Sequence, residues 1–294
     1  MTKVLLLGAT GQLGAAVRKV FDGLSISVSG PARTEFDADR DAVDDALAPF
    51  TDHDYLINCI AYHKVDQCEA DIDRSFRTNA VLVFNLARFC HAKDIALMHI
   101  STDYVFDGRK RAPYVETDLP RPLNVYGASK LAGEYLARTY APKHFVLRVS
   151  SLFGEKKTGD RTVSFVEKMI DAARRGQELN VIKDQIMSPT FTEDAAEAMG
   201  MIIKSKCTDY GIYHLCNSGE CSWYDYAQTI FELTGLTNKL TPVTYTEYHT
   251  AAKRPQFCSM DNSKISPLYQ MRPWTDALGD HLSRMGYRSG KAGP

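Results

Sequence analysis

Short apolar runs alternate with longer amphipathic stretches over the first half of the chain. The runs that favour buried strands cover residues 3–7, 26–29, 54–60, 96–100 and 145–149. Between them, residues 15–21, 72–93 and 131–140 have the composition and spacing of helices, with Phe76, Ala80 and Val83 on one apolar stripe. Buried strands that alternate with helices are typical of a parallel sheet covered on both faces. The pattern therefore predicts an α/β fold with a doubly wound parallel sheet.

The regular alternation of strands and helices ends after residue 150. Residues 163–175 still favour a helix and residues 179–182 a strand, but segment 184–190 and the region from residue 211 onward are irregular. Such a change suggests a smaller lobe that binds a substrate. We therefore expect a dinucleotide-binding domain over residues 1–150, to which segments such as 178–206 return. The substrate-binding lobe would be formed mainly by residues 151–294.

A glycine-rich turn follows the first predicted strand. Gly8, Gly11 and Gly14 have the spacing G-x-x-G-x-x-G and lead into a predicted helix. Glycines at such a turn allow a sharp bend and let backbone amides approach a pyrophosphate at the N-terminus of the helix. The order of strand, turn and helix favours a Rossmann-type dinucleotide site over the alternative, a glycine turn that binds no ligand.

The end of the second predicted strand bears on the choice of cofactor. No acidic residue stands there to bind the adenosine ribose, whereas Arg33 could meet a 2′-phosphate. Such a contact would favour NADPH. An Arg33 that is only a solvated loop residue is an equally good interpretation. Asp37 lies either under the adenine or at the cap of a helix that begins near Asp41. NADPH and NADH therefore both stay open.

Residues 100–130 contain the candidate reactive groups. Tyr126 precedes Lys130 by four residues, so in a helix both side chains lie on one face. An ammonium beside a phenol lowers the pKa of the phenol, which suits a general acid at neutral pH. The hydroxyl of Ser101 or Thr102, at the end of the preceding strand, could hold a carbonyl oxygen while Tyr126 protonates it. With a hydride donor alongside, these groups would reduce a carbonyl compound; the alternative is a chance pair on a helix surface.

Composition and charge exclude several classes of function. The 294 residues carry a formal net charge of −1, with 44% hydrophobic and 24% charged residues, so no electrostatic argument favours a nucleic acid or an anionic membrane as partner. No apolar run is long enough to span a membrane, and the N-terminus does not resemble a signal peptide. Seven cysteines without a paired framework fit a reducing compartment. We therefore expect a cytoplasmic protein that acts on a small molecule.

Three potential metal ligands lie close together in the sequence. His214, Cys216 and Cys221 could in principle bind zinc. No second cysteine pair stands at metal spacing, and each of the three suits a core or loop position. We therefore expect no metal site.

Taken together, these motifs resemble the extended short-chain dehydrogenases and, more narrowly, the dTDP-4-dehydrorhamnose reductase family. The resemblance covers nearly the whole chain. Its most specific part is Thr-Asp-Tyr-Val-Phe-Asp-Gly at residues 102–108, which stands together with the glycine turn and Tyr-Gly-Ala-Ser-Lys at residues 126–130. It implies an NADPH- or NADH-dependent reduction of the C4 ketone of a dTDP-linked 6-deoxy-4-ketohexose. Such a reaction would supply deoxysugars for polysaccharides or glycosylated metabolites.

The resemblance also implies roles for individual residues. Tyr126 would be the proton donor, Lys130 would lower its pKa and bind the nicotinamide ribose, and Thr102 would hydrogen-bond the reacting carbonyl. The sugar pocket would be lined by Thr102, Tyr126, Val65, Asp103 and Tyr104. Matching cofactor contacts are Gly11, Gln12, Leu13, Asp37, Ile60, Ala61 and Tyr62, to which the arguments above add Gly8, Gly14 and Arg33.

The chain departs from the family pattern in several places. Ser151 stands where family members often have a tryptophan that packs on the sugar, and Lys64 stands where a small residue is common. A different nucleotide-4-ketosugar is therefore an alternative substrate. Ala15 and Ala16 stand where some members have an acidic residue that contributes to a magnesium-bridged dimer. No metal is therefore expected, and a homodimer stays open.

A protein of another class is a further alternative. A regulatory subunit that resembles this family binds a dinucleotide without catalysing a reduction. Thr102, Tyr126 and Lys130 are all present here, and a non-catalytic subunit has no chemical need for all three. The sequence therefore favours an enzyme.

Overall fold

A parallel sheet forms the centre of the computed structural model, which describes residues 1–32, 34–38, 42–155, 164–248 and 250–287. In chain order the strands are β1 (Lys3–Leu7), β2 (Ser27–Ser29), β3 (Tyr55–Asn58), β4 (Ala96–Thr102), β5 (His144–Val149), β6 (Leu152–Phe153), β7 (Leu179–Ile182), β8 (Ile186–Met187), β9 (Thr190–Phe191), β10 (Gly211–His214), β11 (Cys221–Ser222) and β12 (Leu240–Val243). Six of them form the central sheet in the order β10-β5-β4-β3-β1-β2, and every neighbouring pair is parallel. The order reverses between β1 and β3, where ligands bind in sheets of this type.

Helices cover both faces of this sheet. Within the described ranges they are α1 (Gln12–Gly23), α2 (Val43–Ala46), α3 (Val65–Ala70), α4 (Ile72–Phe76), α5 (Leu82–Ala92), α6 (Val125–Tyr140), α7 (Phe165–Arg174), α8 (Thr192–Lys204), α9 (Trp223–Thr234) and α10 (Trp274–Arg284). Successive residues of β1 point to opposite faces. Leu6 packs with Val17 of α1 and Met199 of α8, whereas Leu5 packs with Leu86 of α5. The predicted doubly wound α/β fold is confirmed.

A second, smaller unit follows the central sheet. Its strands form the pairs β6–β9, β7–β12 and β8–β11, and α7, α9 and α10 share an apolar cluster that includes Ile170, Ile230 and Leu278. Part of the chain after residue 150 does return to the central sheet, since α8 packs on α1 and β10 pairs with β5. Within segment 178–206, however, β7 pairs with β12 outside that sheet. The division into two domains stays a prediction.

Several helix boundaries differ from those predicted. The helix expected over residues 72–93 consists of α4, one π-helical turn (Arg77–Val81) and α5. The helix expected from residue 131 begins at Val125, so that Tyr126 and Lys130 share it. Asp41, the expected start of another helix, lies outside the described residues. No helix in the described part of the chain is both long and apolar enough to cross a membrane.

Candidate active site

Close backbone contacts shape the glycine-rich turn between β1 and α1. Gly8 has a φ of +78°, which L-residues with side chains rarely adopt, and its carbonyl accepts a hydrogen bond from the Gly11 amide at 3.0 Å. A Cβ atom on Gly14 would lie only 2.2 Å from the Gly8 oxygen. Gly11 caps α1 without any side-chain hydrogen bond. The first turn of α1 therefore begins with backbone amides that no capping side chain covers, the arrangement that binds phosphate.

A cleft of about 510 Å³ opens beside this turn. It lies at the ends of β1, β2 and β3, and its volume is typical of small-molecule sites. Its lining includes six residues that the sequence predicts at the cofactor: Gly8, Gly11, Asp37, Ile60, Ala61 and Tyr62.

Other predicted cofactor residues in the described part of the chain are absent from this lining. Leu13 and Gly14 are buried in the first turn of α1. The Gln12 side chain reaches the second unit, where Nε2 donates a hydrogen bond to the Gly154 carbonyl at 3.0 Å. Arg33 lies outside the described residues, so its expected contact with a 2′-phosphate stays a prediction.

Sequence reasoning missed three basic residues that line the cleft, namely Arg18, His63 and Arg74. The guanidinium carbon of Arg74 lies 4.8 Å from the centre of the Tyr62 ring, within range of a cation–π interaction. Glu35 is an acidic group in the same lining. These side chains come from different helices and loops, and no local motif in the sequence joins them.

Thr102 and Tyr126 meet where β4 and α6 come together. Thr102 is the last residue of β4, and Tyr126 is the second residue of α6. Asn124 caps this helix by accepting a hydrogen bond from the Gly127 amide at 2.7 Å. A Cβ atom on Gly127 would lie 2.2 Å from the backbone carbonyl oxygen of Tyr104. The first turn of α6 therefore packs closely against the segment that follows β4. The Tyr104 and Tyr126 rings are edge to face, with their centres 6.0 Å apart.

Lys130 lies one helical turn after Tyr126 and is buried. Its Nζ donates a hydrogen bond to the Ile100 carbonyl at 2.6 Å and lies 3.2 Å from His99 Nε2. Burial lowers the pKa of Lys130 to about 8. Burial also raises the pKa of Tyr126 and outweighs the hydrogen bond from Thr102. The expected lowering of the Tyr126 pKa by Lys130 is therefore wrong, because desolvation of the phenol dominates.

Asp103 holds the Thr102 hydroxyl from the protein interior. Thr102 Oγ1 accepts a hydrogen bond from the Tyr104 amide at 3.2 Å and donates one to Asp103 Oδ1 at 3.0 Å. Ser150 Oγ donates to the other carboxylate oxygen at 2.8 Å. Burial raises the pKa of Asp103. This predicted sugar-pocket residue thus orients Thr102.

The other candidate hydroxyl, that of Ser101, points away from this site. Ser101 Oγ donates to the Glu134 carboxylate, which also accepts hydrogen bonds from Arg148 Nε at 2.9 Å and Nη2 at 2.7 Å. All three side chains are buried. Thr102 is therefore the candidate for holding a carbonyl oxygen. Sequence reasoning missed the pairing of Glu134 with Arg148, although a charged residue inside the apolar β5 pattern was a signal for it.

Asn79 connects the cleft to α6. Its Oδ1 accepts a hydrogen bond from the Tyr62 amide at 2.9 Å, and its Nδ2 donates to the Tyr62 carbonyl at 2.9 Å and to Ser129 Oγ at 3.0 Å. The residue is buried within the π-helical turn.

Val65 is the first residue of α3, a helix that contacts α6. The next residue, Asp66, pairs with Arg254 at 2.7 Å and accepts a hydrogen bond from the Ala252 amide at 3.0 Å. Arg254 also interacts with Tyr104. The segment around Arg254 is thus tied to the same corner of the molecule as Val65 and Tyr104.

The three potential zinc ligands do not converge. His214 Nδ1 lies 3.0 Å from the Asp261 carbonyl, and its Nε2 lies 3.4 Å from Arg148 Nη1. Cys216 and Cys221 are buried in separate apolar clusters. Among the residues with described coordinates, no group of three or more His, Cys, Asp or Glu side chains is placed to hold a metal ion.

The chain is similar to known proteins over most of its length. The family model described as "RmlD substrate binding domain" matches residues 1–286. The spore coat polysaccharide biosynthesis protein SpsK of Bacillus subtilis is 36% identical over 284 residues, which cover 96% of this chain and 97% of that protein. A dTDP-4-dehydrorhamnose reductase of Aggregatibacter actinomycetemcomitans is 36% identical over 292 residues, which cover 95% and 97%.

Solved structures extend this similarity to the fold. A dTDP-4-dehydrorhamnose reductase of Clostridium acetobutylicum superposes with a TM-score of 0.90 at 33% identity, covering 97% of this chain and 100% of that chain. A dTDP-4-dehydrorhamnose reductase of Bacillus anthracis, solved in complex with NADP, superposes with a TM-score of 0.87 at 30% identity and the same coverage.

Proposed function

The chain belongs to the dTDP-4-dehydrorhamnose reductase family, and we propose that it reduces dTDP-4-dehydro-L-rhamnose to dTDP-L-rhamnose with NADPH. The observation that supports the proposal is the hydrogen bond between Thr102 and Tyr126 at the junction of β4 and α6, one helical turn before Lys130. The cleft beside the glycine turn lies at the ends of neighbouring strands of the same sheet. A proton donor, a hydroxyl donor and a dinucleotide site together suit the reduction of a ketone.

Tyr126 and Thr102 each have one task in the reduction. A bound NADPH would supply the hydride for C4 of the sugar. Tyr126 donates a proton to the ketone oxygen, and its raised pKa keeps the phenol protonated at neutral pH until then. Thr102 Oγ1 donates its single proton to Asp103 and would turn it to the same oxygen when the ketone is bound. One C–H bond and one O–H bond form at the sugar, while the carbonyl π-bond, the C–H bond of the reduced nicotinamide and the Tyr126 O–H bond break.

The cleft suits a dinucleotide. The backbone amides of Gly11, Gln12 and Leu13 begin α1 and would bind the pyrophosphate. Arg18 and Arg74 stand in the lining beside the acidic Glu35 and Asp37, so the preference for NADPH is supported by the related reductase of Bacillus anthracis, which was solved with NADP. Separate fluorescence titrations with NADPH and NADH test this choice, and equal affinities would contradict it.

The remaining predicted residues would bind the sugar. We assign this role to Val65, Asp103 and Tyr104, at the corner where the second unit contacts the first. The central sheet with its helices would then be the dinucleotide domain, and most of the chain after residue 150 the substrate lobe. The ion pair between Asp66 and Arg254 connects α3 with the segment that follows β12.

A different nucleotide-4-ketosugar is the second candidate substrate. Ser151 follows β5 with a φ of +43°, and Lys64 is exposed directly before α3. Ser151 lacks the flat aromatic surface that family members often have against the sugar, and Lys64 is a long charged side chain where a small residue is common. A panel of nucleotide ketosugars distinguishes the two, since a large preference in kcat/KM for the rhamnose precursor would exclude the alternative.

Oxidation of NADPH, followed optically with the ketosugar generated in situ, tests the proposed reaction. Rapid oxidation that depends on Tyr126 would support it. Tight NADPH binding without turnover of any ketosugar would contradict it and favour a non-catalytic regulatory subunit.

A cytoplasmic location and a homodimer belong to the same proposal. All seven cysteines are free thiols, as expected in a reducing compartment. Cell fractionation tests the location, and light scattering of the purified protein tests the dimer.

A further inference from the structure

A buried serine lies directly after β5 and contacts Asp103. Ser150 Oγ donates a hydrogen bond to Asp103 Oδ2 at 2.8 Å. The backbone amide of Ser150 donates to Thr190 Oγ1, in β9, at 3.1 Å. The other carboxylate oxygen, Asp103 Oδ1, accepts from Thr102 Oγ1 at 3.0 Å. The proposed mechanism assigns no task to Ser150.

The two hydroxyl groups bind different oxygens of one carboxylate. With Ser150 on Oδ2, the carboxylate cannot rotate without breaking this hydrogen bond, so Oδ1 stays directed at Thr102. Thr102 Oγ1 already accepts from the Tyr104 amide at 3.2 Å, and its own single proton lies towards Asp103. The bond from Ser150 therefore fixes the carboxylate that in turn fixes the Thr102 hydroxyl.

The Thr102 proton must leave Asp103 before it can hold a ketone oxygen. This exchange removes one hydroxyl donor from a buried carboxylate, and burial of an ionised group without hydrogen bonds is costly. Ser150 is the hydroxyl donor that remains on Asp103. We propose that Ser150 is a positioning residue, a role that rests on the proposed reduction: it holds Asp103 by Oδ2 and so lets the Thr102 proton turn to the bound ketone.

The surroundings of Asp103 contain no better donor than Ser150 among the residues with described coordinates. The titratable groups that face this carboxylate there are Cys258, Cys216, Tyr104 and Tyr126. Burial raises the pKa of all four, so none is charged at neutral pH. The Cys258 thiol is a weak donor, and its single proton is shared with the Ile186 carbonyl at 3.4 Å. Burial raises the pKa of Asp103, and the hydrogen bonds from Cys258, Ser150 and Thr102 act in the opposite sense.

The carboxylate of Asp103 can be titrated without a substrate. In protein labelled with carbon-13 in its aspartate carboxyl groups, the signal lost in Asp103→Asn assigns the residue. We expect Ser150→Ala to raise the pKa of Asp103 by about one unit, because a carboxylate that accepts fewer hydrogen bonds binds its proton more tightly. Ser150→Cys keeps a weaker donor and should give a smaller rise. An unchanged pKa in Ser150→Ala would overturn the inference.

Ser75→Ala is a matched control for the loss of a buried serine hydroxyl. Ser75 is also inaccessible to solvent, but its Oγ donates to the Asp71 carbonyl at 2.7 Å, at the start of α4. Its removal should change neither the pKa of Asp103 nor kcat. Equal pKa rises in Ser75→Ala and Ser150→Ala would reflect a general loosening of the fold and would overturn the inference.

A double variant tests whether Ser150 acts through Thr102. In the Thr102→Val background, Ser150→Ala removes the last hydroxyl donor, so the pKa of Asp103 should rise more than in the unmodified background. We expect Ser150→Ala alone to lower kcat about tenfold, the effect of one hydrogen bond to a charged group. In the Thr102→Val background the same change should lower kcat less than about twofold, because the hydroxyl that it positions is already absent. Equal losses of kcat in the two backgrounds would overturn the inference.

The two kinds of measurement separate this inference from the proposed function. The titrations need no substrate, so the expected pKa changes in a chain that reduces no ketosugar would contradict only the proposed function. Normal reduction of a ketosugar by Ser150→Ala, with an unchanged pKa of Asp103, would overturn only the role of Ser150.

Discussion

Arg148 and Glu134 form a bidentate ion pair inside the protein, with N–O distances of 2.9 and 2.7 Å and about 1% of each side chain exposed. The pair joins β5 to α6, the helix that carries Tyr126 and Lys130. It therefore fixes the reactive helix against the sheet, at a depth where neither charge can be hydrated.

Removal of one partner of this pair should destabilise the fold strongly. Arg148→Met leaves the Glu134 carboxylate buried without its cation, and we expect the free energy of unfolding to fall by about 3–5 kcal/mol. Denaturant unfolding measures the change. The double variant Arg148→Met/Glu134→Leu should recover much of the loss, because no charge is then buried alone. A single variant within about 1 kcal/mol of the unmodified protein would contradict the argument.

Tyr126→Phe should abolish reduction and leave cofactor binding intact. The change removes the proton donor, for which general acid catalysis predicts a loss of roughly a hundredfold or more in kcat. Tyr135→Phe is a matched control, since Tyr135 lies on the same helix with half of its surface exposed and should keep full activity. NADPH oxidation and an NADPH titration are the two measurements. A Tyr126→Phe variant with normal turnover would exclude the proposed proton donor.

Asn79→Ala should weaken NADPH binding through Tyr62. The Asn79 amide holds both the N–H and the carbonyl of Tyr62, a residue that lines the cleft, so its loss leaves two backbone groups without their partner. We expect a loss of stability of about 1–3 kcal/mol and a higher Kd for NADPH. Asn85→Ala, in the adjoining helix, serves as control. An unchanged Kd would show that Tyr62 keeps its position without Asn79.

Gly14→Ala and Gly23→Ala distinguish a steric clash at the glycine turn from the general effect of replacing a helical glycine by alanine. Both residues belong to α1. A Cβ atom added at Gly14 would lie 2.2 Å from the backbone oxygen of Gly8, whereas a Cβ atom added at Gly23 would have no heavy atom within 4 Å. Gly14→Ala should cost about 1–3 kcal/mol by overpacking and weaken NADPH binding. Gly23→Ala should leave binding unchanged and alter stability by less than about 1 kcal/mol. Equal effects of the two substitutions on stability and on NADPH binding would contradict the close contact between Gly14 and the Gly8 oxygen.

Local sequence patterns predicted those parts of the fold that depend on neighbouring residues. The buried strand before Gly8 and the four-residue spacing of Tyr126 and Lys130 are of this kind. Local patterns do not predict which distant parts of the chain pair with each other. The partner of β7 is a strand that begins at Leu240, some sixty residues later, and the partner of Glu134 is on another element. The pKa of Tyr126 was predicted in the wrong direction because its sign depends on burial, which spacing alone does not report.

Lys130→Met should stabilise the protein at neutral pH while it inactivates the enzyme. The pKa of Lys130 is about 8 in the folded chain and 10.5 in the reference state, so folding at pH 7 keeps a charge buried against its preference. Between pH 8 and 10.5 the unfolded state binds more protons than the folded one, and the stability of the unmodified protein rises with pH in that window. Methionine fills a similar volume without a charge. We therefore expect the variant to be more stable by about 1–3 kcal/mol at pH 7, with the difference shrinking towards pH 10. Thermal unfolding at several pH values measures this, and a variant less stable than the unmodified protein at pH 7 would show that the hydrogen bond to Ile100 outweighs the cost of the buried charge.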